Sequence, residues 1–197
     1  QILSAEQIWC QGFSEPNAGS DLASLQTRAV LENGHFVVNG QKVWTSYAHI
    51  AQWCILLART NPAAPKHKGL TYLLVDMRTP GVSVRPLRQM NGDAEFNELF
   101  FEDAKVPVEN VLGRVNDGWS VAITTLMFER GPRTLTRQLM LGQGIDAAIE
   151  LARRLDRDGR KASLDPVIRQ RLAQFWIDAQ ALRYATLRTL TRLARGE

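Results

Sequence analysis

Residues 12–24 read Gly-Phe-Ser-Glu-Pro-Asn-Ala-Gly-Ser-Asp-Leu-Ala-Ser, and residues 39–46 read Asn-Gly-Gln-Lys-Val-Trp-Thr-Ser. The first stretch concentrates proline, glycine, serine and aspartate, which are residues of turns rather than of helix or strand interiors. A loop of this composition can direct backbone N–H groups and small hydroxyls toward a ligand. The first stretch therefore predicts a ligand-facing loop, and its composition alone leaves the ligand open.

Around these stretches, residues 25–101 carry the signals of short β-strands separated by turns. Alternating segments flank Asn33-Gly34, and an Asn-Gly pair in that position is the strongest short-range signal of a β-hairpin. A second pair, Asn39-Gly40, leads into the second stretch. Residues 53–58 and 72–75 are continuously apolar, so we expect them to be buried on both faces. Because no helical pattern intervenes, the sequence predicts an antiparallel β-barrel or sandwich. The strands predicted after the hairpin are Trp53–Ala58, Leu70–Asp76, Val82–Leu87 and Phe96–Phe101.

The pattern becomes helical from Trp119, and Gly131-Pro132 is expected to kink or break this helix. Asp165-Pro166 predicts the start of a second helix, with the aspartate as N-cap and the proline in the first helical position. The fold class is therefore α+β with more than one domain. Residues 1–115 form the β-barrel or sandwich, and residues 116–197 form the first helices of an α-helical bundle. Two amphipathic helices cannot bury both apolar faces alone, so further chain or partner subunits are expected to cover them.

The net charge of +4 conceals an asymmetry along the chain. Residues 1–129 hold 10 basic and 13 acidic side chains, whereas residues 130–197 hold 14 and 7. A basic helical segment can bind nucleic acid or a phosphorylated small molecule. Arginines on solvated helix faces and at subunit interfaces produce the same composition. The charge therefore leaves both interpretations open.

Composition and motifs exclude several classes of protein. No apolar run reaches the roughly eighteen residues of a membrane span, and no secretory signal is visible. Cys10 and Cys54 lack the spacing of a zinc site and indicate reduced, buried thiols of a cytosolic protein. The sequence also lacks a dinucleotide-binding glycine motif, a phosphate-binding loop, a nucleophile elbow and a metal-spaced histidine pair. No metal site is predicted.

The residues that remain as candidates combine one aromatic side chain with small hydroxyls and a charged pair. A planar, redox-active ring needs an aromatic wall, hydrogen-bond donors along its heteroatom edge and protection from water. Trp44 can supply the wall, and the hydroxyls of Ser14 and Ser46 can supply donors. Each residue taken singly also fits a structural role in the core or at a strand end. The candidates are Ser14, Ser20, Trp44, Thr45, Ser46, Glu129 and Arg130.

Three stretches resemble the acyl-CoA dehydrogenase family. Ser14–Asp21 resembles the family's T-E-P-x-A-G-S-D stretch, Asn39–Ser46 resembles N-G-x-K-x-W-I-T-N, and Phe101–Gly113 resembles F-x-D-V-x-V-P-x-x-N-x-L-G. Their order and separation are those of the family. The resemblance implies that the first part of the chain is the family's middle β-barrel domain, and that the rest begins its C-terminal helical bundle. We expect the N-terminal helical domain and the last helices to lie outside this chain.

The resemblance implies FAD as the cofactor. It puts Ser14 where the family has a threonine that hydrogen-bonds the flavin ring, Trp44 beside the isoalloxazine and Ser46 where a threonine points at N5 and O4. The implied cofactor residues are Gln11, Phe13, Ser14, Gly19, Ser20, Trp44, Thr45 and Ser46. The implied acyl-CoA residues are Ser20, Met127, Phe128, Glu129 and Arg130.

The reaction that the resemblance implies is α,β-dehydrogenation of an acyl-CoA thioester to the 2-enoyl-CoA, as in fatty acid β-oxidation. A carboxylate removes the α-proton while a hydride leaves the β-carbon for the flavin. Hydrogen bonds to the thioester carbonyl lower the pKa of the α-proton, and desolvation makes the carboxylate more basic. The base of the isovaleryl and long-chain branches matches Glu129, whereas in most members it would lie beyond residue 197. Both alternatives stay open.

Two positions depart from the family pattern. Residues 157–164, where the family has Arg-x-x-Phe-Gly, contain no Phe-Gly, and Gln11 replaces a frequent aromatic residue. These differences suggest a divergent bacterial branch that acts on bulky or steroid-like side chains, and a heteromer with incomplete sites.

Partners and location follow from the resemblance as expectations. The expected electron acceptor is an electron-transferring flavoprotein, and the expected assembly is a homo- or hetero-oligomer. The expected location is the bacterial cytoplasm, or the mitochondrial matrix in a eukaryote. Three alternative functions stay open. The first keeps the fold and uses oxygen, as an acyl-CoA oxidase or flavin monooxygenase relative. The second is a relative that binds DNA through the basic helical segment, and the third is a non-catalytic subunit.

Overall fold

The computed structural model describes residues 1–195, apart from the side chains of residues 130–134 and 193. Two compact units, Gln1–Thr124 and Thr125–Glu197, make up the chain. The domain boundary predicted between residues 115 and 116 stays a prediction. The strands of the first unit are β1 (Trp9–Gly12), β2 (Arg28–Glu32), β3 (His35–Ser46), β4 (Trp53–Arg59), β5 (Leu70–Asp76), β6 (Val82–Leu87) and β7 (Phe96–Pro107).

These strands form one curled, seven-stranded sheet in the order β1-β4-β2-β3-β7-β6, with β5 paired to β4. The predicted α+β class is confirmed. The β2–β3, β3–β7, β4–β5 and β6–β7 pairs are antiparallel, as predicted. However, β1 pairs with β4 in parallel, from Trp9 opposite Trp53 to Gly12 opposite Leu56. Parallel strands need a long connection, and the intervening loop and the β2–β3 hairpin provide it.

The predicted hairpin at Asn33-Gly34 is confirmed. β2 and β3 pair on either side of it, and Asn33 and Gly34 have φ of 45° and 80°. Two left-handed residues in succession are what a tight two-residue hairpin turn requires. Asn39-Gly40 lies instead within β3, where the register against β7 shifts between Val38 and Gly40. The second Asn-Gly pair is therefore part of a β-bulge and not a turn.

The core of the first unit lies against β4 and β5. Leu56, Leu57, Leu70 and Leu73 are fully buried, and β5 is buried along most of its length. The prediction that residues 53–58 and 72–75 are buried on both faces is confirmed for most of them, whereas Trp53, Ile55 and Leu74 are half-buried. The sheet supplies a rigid scaffold from which the polar loop between β1 and β2 projects.

The second unit contains most of α1 (Gly118–Arg154), the two-residue strands β8 (Asp156–Arg157) and β9 (Arg160–Lys161), and α2 (Pro166–Ala194). Asp165 caps α2 as predicted, because its Oδ1 accepts hydrogen bonds from the amides of Val167 at 2.8 Å and Ile168 at 3.2 Å. α1 is one continuous helix, so the predicted break at Gly131-Pro132 is wrong, and the alternative of a kink stays a prediction. A proline in a helix interior removes one hydrogen bond to the residue four positions earlier, and the bonds on either side carry α1 past it. No described helix is long and apolar enough to cross a membrane.

Gly40→Ala is expected to lower the free energy of unfolding by about 1–3 kcal/mol, the usual range for a strained backbone position. The added Cβ would lie 2.7 Å from the Cα of Thr27, and residue 40 has a φ of 149°. Urea unfolding followed by circular dichroism measures the change. Gly142→Ala is the control, because a Cβ at this helical position meets nothing within 4 Å. The Gly142→Ala substitution should leave the free energy of unfolding unchanged or raise it. Equal free energies of unfolding for the two variants would contradict the prediction.

Candidate functional site

A buried ion pair joins the polar loop after β1 to the middle of β3. The Nζ of Lys42 lies 2.8 Å from Oε1 of Glu15, and the two side chains are 0% and 7% exposed. The same ammonium group donates to the backbone oxygen of Phe13 at 2.9 Å. Lys42 therefore holds both a side chain of the loop, that of Glu15, and the loop backbone at Phe13.

Glu15 extends this anchor to the start of β2. Its two carboxylate oxygens accept hydrogen bonds from the backbone amides of Gln26, at 2.6 Å, and Thr27, at 2.8 Å. Its own backbone exchanges two hydrogen bonds with Ala18, of 3.0 and 3.1 Å. Backbone hydrogen bonds thus close a tight turn at Glu15–Ala18, and the Glu15 carboxylate ties this turn to the start of β2.

The electrostatics of the pair keep Glu15 ionised. Burial alone would raise the pKa of Glu15, but the charge of Lys42 and the hydrogen bonds that the carboxylate accepts hold it below its ordinary value. Burial lowers the pKa of Lys42 to about 8, against the opposing effect of Glu15. Both groups are therefore charged near neutral pH, as a buried pair with further hydrogen bonds can be.

Arg59, the last residue of β4, and Lys66, in the loop between β4 and β5, contact the C-terminal part of the candidate loop. Arg59 donates from Nη2 to the backbone oxygen of Ala23 at 2.6 Å, and from Nη1 to those of Lys66 and Lys68 at 3.2 and 3.0 Å. Lys66 also pairs with Asp21 at 2.6 Å. Arg59 and Lys66 therefore hold the end of the candidate loop at Asp21 and Ala23.

A second bulge in β3 brings the aromatic candidate to the surface. The register against β7 shifts between Lys42 and Thr45, and Trp44 has a φ of 61°. The amide of Val43 donates to the backbone oxygen of Ser14 at 2.9 Å. Trp44 is 61% exposed and packs edge-on against Phe96. The bulge thus sets an exposed indole directly beside the loop.

The structure brings most of the predicted cofactor residues into this one region. Ser14 is half-buried, and Gly19, Ser20 and Ser46 are exposed. Among the described residues, the hydroxyls of Ser14, Ser20 and Ser46 have no hydrogen-bond partner. A Cβ on Gly19 would meet nothing within 4 Å, so the loop is open there. An exposed indole beside free hydroxyls suits a planar ring with a polar edge, such as the predicted flavin.

The other predicted cofactor residues differ in their exposure. Gln11 lies half-buried in β1. Phe13 is buried and packs edge-on against Tyr72, so only its backbone can contribute to the loop surface. The side chain of Thr45 is fully buried. Thr45 therefore faces away from the side of β3 that exposes Trp44 and Ser46.

The predicted acyl-CoA residues on α1 belong to the second unit. Met127, Phe128 and Glu129 are exposed on this helix. The side chain of Arg130 lies outside the described residues. Their roles toward a substrate stay predictions.

Sequence reasoning missed the residues that hold the site in place. Glu15 and Lys42 belong to the two stretches quoted first, but no role was predicted for either. Lys42 follows Asn39-Gly40-Gln41, a polar context that gives no signal of burial, and lysine is almost never fully buried unless it is paired. Asn97 of β7 was also missed. Its Nδ2 donates to the backbone oxygen of Thr45 at 2.9 Å, a contact between segments that are distant in the sequence.

Comparison with known proteins identifies this arrangement. The models of the acyl-CoA dehydrogenase middle domain and C-terminal domain match residues 10–104 and 116–197. The chain belongs to the acyl-CoA dehydrogenase family. The resemblance seen in the sequence is thus confirmed.

Similar proteins cover almost all of this acyl-CoA dehydrogenase chain. Acyl-CoA dehydrogenase IpdE1 of Mycobacterium tuberculosis is 48% identical over 190 residues, which are 96% of this chain and 48% of the relative. A probable acyl-CoA dehydrogenase from Mycobacterium abscessus matches with a TM-score of 0.88 at 31% identity. The match covers 100% of this chain and 52% of the Mycobacterium abscessus chain. The Tcur3481-Tcur3483 steroid ACAD has a TM-score of 0.86 at 32% identity, with coverages of 100% and 49%. The chain spans about half the length of these proteins.

Lys42→Met and Glu15→Gln are each expected to lower the free energy of unfolding by about 3–5 kcal/mol, because each leaves a buried partner without its counter-charge. The double variant should lose less than the sum of the two single losses. Denaturant unfolding of the four proteins gives the coupling free energy. The exposed pair Lys66–Asp21 provides the matched control, with an expected coupling below about 1 kcal/mol. If the losses in free energy of unfolding from the Lys42 and Glu15 substitutions were strictly additive, the two side chains would not be coupled, which would contradict the role assigned to the ion pair.

Proposed function

We propose that this chain supplies the FAD-binding middle domain and the first C-terminal helices of an acyl-CoA dehydrogenase that converts an acyl-CoA thioester to the 2-enoyl-CoA. The observation that carries the proposal is the exposed Trp44 beside the free hydroxyls of Ser14 and Ser46. Family membership supports it, because the relatives are named acyl-CoA dehydrogenases.

The residues of the first unit would bind and orient the cofactor. Trp44 would cover the ring and exclude water, while the hydroxyls of Ser14 and Ser46 would donate hydrogen bonds to its heteroatom edge. The open backbone at Gly19 and the hydroxyl of Ser20 suit the pyrophosphate. When bound, FAD supplies the acceptor for the hydride that leaves the β-carbon of the substrate.

Glu129 is the proposed base that removes the α-proton. Its side chain is exposed on α1, and a carboxylate can accept a proton as a general base. The alternative is a base beyond residue 197. Only Glu129 can be tested within this chain.

The proposed substrate is a CoA thioester with a bulky, steroid-like acyl group. Support comes from the steroid ACAD among the similar structures and from Gln11, which stands where the family often has an aromatic residue. An electron-transferring flavoprotein is the proposed electron acceptor. The proposed assembly is an oligomer in the bacterial cytoplasm. The missing Phe-Gly after Arg157 favours a heteromer.

Trp44→Ala combined with Ser46→Val is expected to abolish FAD retention while the protein stays folded, because both side chains are exposed. Purified wild-type protein should carry the visible absorption of oxidised flavin, and the variant should not. Met90→Ala is the control, since Met90 is a fully exposed apolar residue of the same unit. Equal flavin content in wild type and the double variant would contradict the proposed binding face.

Glu129→Gln is expected to abolish bleaching of the flavin by steroid-side-chain acyl-CoA while FAD retention is unchanged, because the amide cannot accept the α-proton. Anaerobic titration followed by visible absorption measures the bleaching. Glu150→Gln, at another exposed glutamate of α1, should bleach like the wild type. Bleaching by the Glu129 variant at the wild-type rate would assign the base to another residue.

A further inference from the structure

Asn97 lies fully buried in β7, directly opposite Thr45 of β3. Its Nδ2 donates hydrogen bonds to the backbone oxygens of Thr45 and Glu95, each at 2.9 Å. The amide of Tyr47 donates to the same oxygen of Glu95 at 2.7 Å. One carboxamide therefore ties the segment that follows Trp44 to the start of β7.

This segment needs such a tie because its backbone is unusual. Trp44 adopts a left-handed φ of 61°, which a bulky residue keeps only when its surroundings hold it there. The ladder between β3 and β7 has no regular pair for Val43 or Trp44. Before Trp44, the amide of Val43 donates to the backbone oxygen of Ser14. After it, Thr45 and Ser46 pair with Asn97 and Phe96 of β7, and the side chain of Asn97 adds its own hydrogen bond to the backbone oxygen of Thr45.

Stability alone does not account for an asparagine at this position. Among the described residues, Oδ1 of Asn97 and Oγ1 of Thr45 are buried without a hydrogen-bond partner. Buried polar atoms without partners lower stability, and apolar residues of similar shape avoid that loss. Residues that violate a packing rule in this way are characteristic of functional sites. The amide group of Asn97 therefore matters for the two backbone oxygens that its Nδ2 binds.

We propose that Asn97 is a positioning residue for flavin binding, which acts by holding residues 43–47 so that Trp44 and Ser46 face the cofactor. The inference rests on the proposed function. Asn97 itself is fully buried and makes no contact with the ligand. It acts through the backbone oxygens of Thr45 and Glu95.

The test compares Asn97→Leu with Asn110→Leu in the purified protein. Asn110 also donates from Nδ2 to a backbone oxygen, that of Leu74 at 3.0 Å, away from β3. Asn97→Leu is expected to weaken FAD binding about tenfold, as the loss of one well-placed hydrogen bond and its preorganisation allows. It should also change the visible circular dichroism of the bound flavin. Asn110→Leu should leave both unchanged at a similar thermal stability. Wild-type affinity and dichroism in the Asn97 variant would overturn the inference.

Two further measurements separate this inference from the proposed function. Hydrogen exchange of the FAD-free proteins should be faster across residues 43–47 in Asn97→Leu than in Asn110→Leu, and equal exchange would overturn the positioning role. A wild-type protein that binds no FAD would refute the proposed function, and the exchange comparison would still decide whether Asn97 holds the segment. Asn97→Asp, which keeps the shape without the amide hydrogens, replaces the leucine variant if that variant does not fold, with the same expected losses.

Discussion

The ammonium group of Lys42, buried against a single carboxylate, is the constraint on which the candidate site depends. Removing a charge from water is costly, and the cost is offset only where the counter-charge and further hydrogen bonds are well placed. Here Glu15 and the backbone oxygen of Phe13 complete the surroundings of Lys42, while the amides of Gln26 and Thr27 complete those of Glu15. Loss of any partner would leave a buried polar group unmatched. This network of contacts therefore holds the candidate loop, the start of β2 and the middle of β3 together.

The bulge in β3 converts this rigidity into a binding surface. A regular strand would pair both sides of its backbone with neighbouring strands, whereas the bulge frees the amide of Val43 to bind Ser14 and turns Trp44 outward. The exposed indole and the left-handed backbone both reduce stability, and Asn97 holds the segment at the further expense of an unpaired oxygen. Strain and unmatched polar atoms are typical of functional sites. Here the left-handed Trp44 lies beside two buried side-chain atoms that have no partner among the described residues, Oγ1 of Thr45 and Oδ1 of Asn97, in the region where the sequence motifs predict the flavin.

Local signals predicted much of the fold. Asn33-Gly34 gave its hairpin and Asp165-Pro166 its capped helix, because turn and cap geometry depend on neighbouring residues alone. The parallel pairing of β1 with β4 was missed, since it joins distant segments. Asn39-Gly40 carries the same signal as a turn, and only its pairing with β7 makes it a bulge. The motifs also predicted that the Ser14 loop and the Trp44 segment act together, and the hydrogen bond from Val43 to Ser14 joins them. They did not predict the burial of Lys42, which depends on a partner in another loop.

The proposed chemistry divides between the two units of the chain. All residues proposed for the cofactor belong to Gln1–Thr124, which has its own core, whereas the proposed base, Glu129, belongs to Thr125–Glu197. The few buried side chains described in the second unit are small or isolated, so its conformation depends more on what covers it. Flavin binding and proton abstraction are consequently separable properties. In the proposed function, the ion pair and the bulge determine the first, whether the base is Glu129 or a residue of a later helix.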